Sequence, residues 1–191
     1  MKKPALLFLL LLVNMGLLGQ NNNGKNPRSM ELQFGTVQYN YINQIMPSLQ
    51  LAYVMHDDHH FSGALFINGY TTLQSITKRT SLNREFAHRP MGFRGGLNLR
   101  ISTNSQKTHG FIELQGSLGR AYQTGITANS MNDKAWESLA ISNLGCNFRL
   151  SSANYFGFYA GGGIGFLNYK QLQTRRDILR YQAGITYQAR F

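Results

Sequence analysis

The last eleven residues of the chain alternate without a slip, and that alternation limits the possible fold more than any other feature. Tyr181, Ala183, Ile185, Tyr187, Ala189 and Phe191 fall on one side of an extended backbone, and Gln182, Gly184, Thr186, Gln188 and Arg190 on the other. Strands send successive side chains to opposite faces, whereas a helix would scatter both sets around its cylinder. The same period recurs upstream. Phe93, Gly95, Leu97, Leu99 and Ile101 oppose Arg94, Gly96, Asn98, Arg100 and Ser102, and Ile112, Leu114, Gly116 and Leu118 oppose Glu113, Gln115, Ser117 and Gly119. Leu49–Met55 and Phe156–Phe166 follow the same rule. Glu31–Tyr41 and Ser138–Leu150 change phase near Gly35 and near Asn143, so a β-bulge is expected at each, because one extra residue exchanges the faces beyond it. With Phe61–Tyr70 the set comes to eight segments, an even number that returns the C-terminus to the side where the first strand began.

The N-terminus sets the compartment. Lys2 and Lys3 precede an apolar stretch, Leu6 to Leu18, that is shorter than the roughly 20 residues a membrane-spanning helix needs. A basic start, an apolar middle and a small residue at the end make a cleavable export signal over residues 1–19, cut after Gly19. Residues 20–29 read as a flexible leader with three consecutive Asn, Gly24 and Pro27, and residues 30–191 as one barrel domain. Cys146 is the single cysteine, so no internal disulfide frames the fold. The formal charge of +11 falls to +9 when Lys2 and Lys3 leave with the signal. For an exported chain such a balance points to anionic lipid headgroups and lipopolysaccharide phosphates, not to nucleic acid.

The connections sort by parity. Those after the second, fourth and sixth segments are short (His56–His60, Thr103–His109, Ser151–Asn154), and those after the third and fifth are long (Thr71–Pro90, Gln123–Glu137). Lys170–Ile178 is intermediate, and Ile42–Pro47 is a short connection on the long-loop side. Short periplasmic turns, longer outer loops and aromatic residues at strand ends are the marks of a barrel in the outer membrane. The girdles are expected from Tyr39, Tyr41, Tyr70, Tyr122, Trp136 and Tyr169 at one level and Phe61, Phe111, Phe148, Tyr155 and Phe156 at the other. The fold expected is all-β, an antiparallel transmembrane β-barrel of about eight strands behind a signal peptide. Over nearly all of its mature length the chain resembles the small OmpA-type outer-membrane barrels of Gram-negative bacteria. Its terminal YQARF resembles their C-terminal signature, which implies that Tyr187 and Phe191 form a signal read by the barrel-assembly machinery.

Four constellations are candidates for chemistry. The glycines of Tyr159–Leu167 lack the spacing of a phosphate loop and no helix follows them. On an inward face they let opposing side chains fill a narrow lumen. His56, Asp57, Asp58, His59 and His60 suit zinc, nickel or copper as donors. Consecutive turn residues rarely converge on one ion, so a solvated turn is expected there, with no metal or cofactor. His60 and Ser62 resemble the His-x-Ser of outer-membrane lipid A deacylases, with His as base and Ser as nucleophile, but they fall at the periplasmic end, away from that substrate. Arg94, Arg100, Glu113 and Arg190, with Arg149, are expected inside the barrel. Buried charges pair, and Glu113 is the expected partner of Arg94 or Arg100. Eight strands leave room only for side chains or one small ligand, which favours a polar plug over an anion-selective passage built on surplus arginines.

The function expected is a non-enzymatic outer-membrane barrel with a structural, interaction or envelope-assembly role, including one within a transport or transfer complex. The basic outer connections, with Lys78, Arg79, Arg84, Arg89, Lys134, Lys170, Arg175 and Arg176, would face lipopolysaccharide or a protein partner. Two alternatives stand beside it: a lipid-modifying hydrolase using His60 and Ser62, and a secreted soluble barrel binding a small apolar ligand, which requires an apolar interior.

Overall fold

The computed structural model describes residues 28–40, 42–57, 60–72, 76–79, 85–103, 107–125, 133–169 and 174–191. The export signal at 1–19 and the leader up to residue 27 lie outside these residues. So do Asp58 and His59, and with them the metal reading of the His56–His60 turn.

Nine strands occur among the described residues: β1 (Ser29–Tyr39), β2 (Ile42–Asp57), β3 (Phe61–Thr71), β4 (Ile76–Arg79), β5 (Glu85–Ser102), β6 (Thr108–Gly125), β7 (Asp133–Arg149), β8 (Asn154–Tyr169) and β9 (Thr174–Arg190). Eight of them form a closed antiparallel ring in the order β3-β2-β1-β9-β8-β7-β6-β5, shut by the pairing of β3 with β5. The short β4 pairs with β5 inside the long connection that follows β3. Closure leaves the ring itself no unpaired edge, the condition for crossing hydrocarbon with strands. The start of β1 and the end of β9 lie at one end of the ring, with the connections after β2, β5 and β7; this is the turn end. The opposite, loop end carries the connections after β1, β3, β6 and β8. The expected loop at Ile42–Pro47 is corrected: those residues belong to β2, and the connection shrinks to the neighbourhood of Asn40, whose Oδ1 and N bond Leu179 on β9.

The two expected bulges are also corrected. In β1 every second residue from Ser29 to Tyr39 is buried, and in β7 the alternation from Ala135 to Glu137, Leu139, Ile141 and Asn143 is unbroken. The β1–β9 and β7–β8 registers run without a shift past Gly35 and Asn143, and the β1–β2 register shifts only further along, between Val37 and Tyr39, with the facing of β1 unchanged. What changes at those points is the chemistry of the lumen, not the facing of the strand. Glu31 and Gln33 give way to Val37 and Tyr39 on the same face, and Leu139 and Ile141 to Asn143 and Asn147.

The barrel is inverted relative to a water-soluble protein. Leu49, Leu65, Ile67, Phe93, Leu97, Leu99, Ile101, Ile112, Leu114, Leu118, Leu144, Phe158, Ile164 and Ile185 are exposed, whereas Glu31, Gln33, Gln50, Asn68, Arg94, Asn98, Glu113, Gln115, Asn143 and Gln182 are buried. An apolar exterior around a polar interior suits lipid as the outer solvent and is the reverse of what a soluble barrel with an apolar ligand requires.

Inside, an apolar layer that includes Val37, Met46, Leu139, Ile141, Leu167 and Ile178 fills the loop end, and the polar side chains lie mainly below it. Inward glycines make room for large rings. A Cβ at Gly92 would lie 2.3 Å from Tyr70 Cζ, and a Cβ at Gly35 would lie 2.6 Å from the Tyr159 hydroxyl. Of the expected girdle, Trp136, Phe61 and Phe148 are exposed on the outer face. Tyr39, Tyr70, Phe111 and Tyr155 are instead buried in the lumen, a correction explained by the ionic partners their rings and hydroxyls find there.

Candidate functional site

Six ionisable side chains of Asp, Glu, Lys or Arg type are buried among the described residues: Glu31 on β1, Arg94 and Arg100 on β5, Glu113 on β6, Glu137 on β7 and Arg180 on β9. Three carboxylates meet three guanidiniums, so these six buried side chains carry no net formal charge. Each strand contributes its member because the polar face of the alternation points inward, and barrel closure brings together residues far apart in sequence.

Arg100 is the lower centre. Its Nη1 donates to Glu31 Oε2 at 2.6 Å and its Nη2 to Glu31 Oε1 at 2.7 Å, a two-point pairing. The same side chain donates to Glu113 Oε2 from Nη2 at 2.5 Å and from Nε at 3.1 Å. Its guanidinium also lies 4.3 Å from the centre of the Phe111 ring. Amides complete the carboxylates' shells: Gln33 donates to Glu31 at 2.7 Å, and Gln115 and Asn143 donate to Glu113 at 2.8 and 3.0 Å.

Arg180 and Arg94 form the upper centre, which shares Tyr39 and Tyr70 with the apolar cluster. Arg180 Nη1 lies 3.9 Å from Glu137 and donates to the Tyr39 hydroxyl at 2.9 Å. The Tyr39 hydroxyl donates in turn to Glu137 Oε1, and the Tyr70 hydroxyl donates to Glu137 Oε2 at 3.1 Å. Arg94 donates from Nε to Asn68 at 3.0 Å and from Nη2 to Gln182 at 3.5 Å. Gln182 links the centres by donating to Asn143 at 2.9 Å.

Arg100 and Glu113 are thus brought together, and Arg94 finds neutral amides rather than Glu113. The placing of Arg149 in the lumen is corrected. It is exposed at the turn end, where the β7 backbone has passed the rim, and its Nε donates to the Ser151 carbonyl at 3.1 Å. Arg190 is half-buried at that end, donating to the Tyr155 hydroxyl at 2.8 Å and lying 4.6 Å from the centre of its ring. Tyr187 donates to Asn154 Oδ1 at 3.1 Å, and the Phe191 N–H donates to the Arg28 carbonyl at 2.9 Å. His60 is exposed beside the start of β3, and Ser62 lines a cavity of about 10 Å³ with Glu31, Asn98, Arg100 and Glu113. Reading the sequence missed Glu31, Glu137, Arg180, Tyr39 and Tyr70. Arg180 shares the parity of Gln182 and was legible had the last strand been extended upstream. Glu137 lies in the stretch expected as a loop, and the two tyrosines at positions expected for the outer girdle.

A buried ion pair gains little net stability, because desolvation offsets its Coulomb attraction, but removal of one member strands the other. The network therefore acts as a plug whose members hold one another in place.

No protein-family model and no curated protein matches the sequence. Solved structures do. Neisserial surface protein A aligns with a TM-score of 0.59 at 9% identity, covering 90% of this chain and 100% of that one. The outer membrane protein OprG from Pseudomonas aeruginosa aligns at 0.57 and 12% identity, covering 87% and 96%. The attachment invasion locus protein Ail of Yersinia pestis, in complex with the heparin analogue sucrose octasulfate, aligns at 0.53 and 8% identity, covering 88% and 100%. The fold is that of the small OmpA-type eight-stranded outer-membrane barrels, as the terminal strand had suggested.

Proposed function

We propose that the chain works in the bacterial outer membrane as a non-enzymatic, sealed barrel whose interior is structural and whose extracellular loops carry its interactions. The observation that supports this most is the lumen: three buried carboxylates and three buried guanidiniums joined in one hydrogen-bonded network, with buried apolar side chains toward the loop end. Among the described residues the three buried arginines are equalled in number by the buried Glu31, Glu113 and Glu137, a balance that disfavours an anion-selective passage. The basic outer positions, among them the exposed Lys134, Arg175 and Arg176, suit lipopolysaccharide phosphates or another polyanion. The sulfated ligand on Ail gives that reading a parallel. Tyr187 and Phe191 would serve delivery, as a terminal signal for the barrel-assembly machinery. Hydrolysis through His60 and Ser62 is disfavoured by their position at the turn end, which this reading makes periplasmic.

Membrane fractionation with heat-modifiable gel mobility, followed by planar-bilayer recording, tests the proposal. A heat-modifiable outer-membrane band with little or no conductance is expected, and a large, steady anion-selective current would overturn it.

A further inference from the structure

The six buried charges balance as a set but not layer by layer. In the lower centre one guanidinium, Arg100, stands between two carboxylates. In the upper centre two guanidiniums, Arg94 and Arg180, have Glu137 as their nearest carboxylate, which already accepts both tyrosine hydroxyls. The amides of Gln115, Asn143 and Gln182 lie between the two centres. One neutral oxygen, Asn68 Oδ1, accepts from both upper arginines, Arg94 Nε at 3.0 Å and Arg180 Nη2 at 3.4 Å. Arg94 and Arg180 are 1% and 0% exposed, yet Arg94 Nη1 and Arg180 Nε have no hydrogen-bond partner. Among the described residues, the layer thus combines an excess of one positive charge with two unmatched buried donors, amid buried apolar side chains.

We propose that the upper lumen is a binding site for one small monovalent anion of halide size, held by the guanidiniums of Arg94 and Arg180. A water molecule would satisfy the donors but leave the excess charge, which costs far more in a confined, weakly polarisable interior than in water. One anion settles both. A single amide oxygen reaches both guanidiniums, so they stand close together, which favours a halide over a large polyatomic anion. The anion is a folding cofactor rather than a transported ion, enclosed as the barrel closes. The site rests on the sealed-lumen reading, which bilayer conductance tests separately.

The test uses the full mature barrel refolded in detergent and unfolded reversibly by urea, which adds no competing anion. The midpoint is followed by fluorescence of the single tryptophan, Trp136. Sodium chloride and bromide are compared with sodium gluconate at matched ionic strength, for the wild type, Asn68→Asp and Arg94→Gln. Asn68→Asp sets a fixed carboxylate against both guanidiniums, and Arg94→Gln removes the excess charge. Well above the half-saturating concentration, a tenfold rise in halide should raise the wild-type folding constant by about tenfold, as expected for one anion bound only by the folded state. Gluconate should give no such rise, and both variants should be flat. Equal stability of the wild type in halide and gluconate would overturn the proposal. So would a halide dependence in either folded variant equal to that of the wild type.

Discussion

Consider Glu113→Gln. Glu113 accepts from Arg100 twice, at 2.5 and 3.1 Å, and from Gln115 and Asn143 at 2.8 and 3.0 Å. A glutamine in its place offers one acceptor oxygen and turns an NH₂ group toward donors that want an acceptor. Arg100 is not stranded, because Glu31 still holds it at 2.6 and 2.7 Å. The cost should therefore fall near the value of a hydrogen bond to a charged group, about 2–3 kcal/mol. Arg100→Gln leaves Glu31 and Glu113 facing each other without their cation and should cost about 3–5 kcal/mol. The double variant Arg100→Gln/Glu113→Gln keeps only one unpaired carboxylate, so it should be less damaging than the sum of the singles by about 2 kcal/mol, within the range of contacting pairs. The cycle of Glu113 with Arg94, joined only through Gln182 and Asn143, should show a clearly smaller coupling than that with Arg100. Urea unfolding in lipid vesicles reads all six proteins through Trp136. Additivity for Arg100 with Glu113, or equal coupling for Arg94, would refute the assignment of partners.

Three further outcomes are expected. Leu97→Arg and Ile185→Arg place a cation on the lipid face and should each destabilise the vesicle-embedded barrel by about 2–4 kcal/mol if they lie near mid-bilayer; unchanged midpoints would mean that this face does not meet lipid. Gly35→Ala sets a Cβ 2.3 Å from the Ala183 carbonyl oxygen and 2.6 Å from the Tyr159 hydroxyl, whereas a Cβ at Gly116 meets nothing within 4 Å. The first should therefore cost about 1–3 kcal/mol as overpacking while Gly116→Ala stays near neutral, and equal effects in thermal unfolding would argue against the lumen geometry. Deleting Phe191 should lower the amount of folded barrel in the outer membrane and raise periplasmic degradation, with refolding in vitro little altered; wild-type levels of the heat-modifiable band would remove the terminal signal from the proposal.

The period of two was legible in the residues alone, and so were the faces of β5, β6 and β9. Lipid on one side and side-chain amides and charges on the other write a clean alternation of Leu97, Leu99 and Ile101 against Arg94, Asn98 and Arg100. The same rule misled in β1 and β7. There Val37, Tyr39, Leu139 and Ile141 face inward to an apolar layer, and a change of lumen chemistry along the barrel axis looked like a slip of the backbone. Partner choice was beyond the sequence altogether. Arg100 and Glu31 are 69 residues apart and meet only because closure carries β1 round to face β5. Alternation along one strand records which solvent each face meets. Which charges meet across the lumen depends on register and closure, quantities that belong to the whole ring and to no single strand.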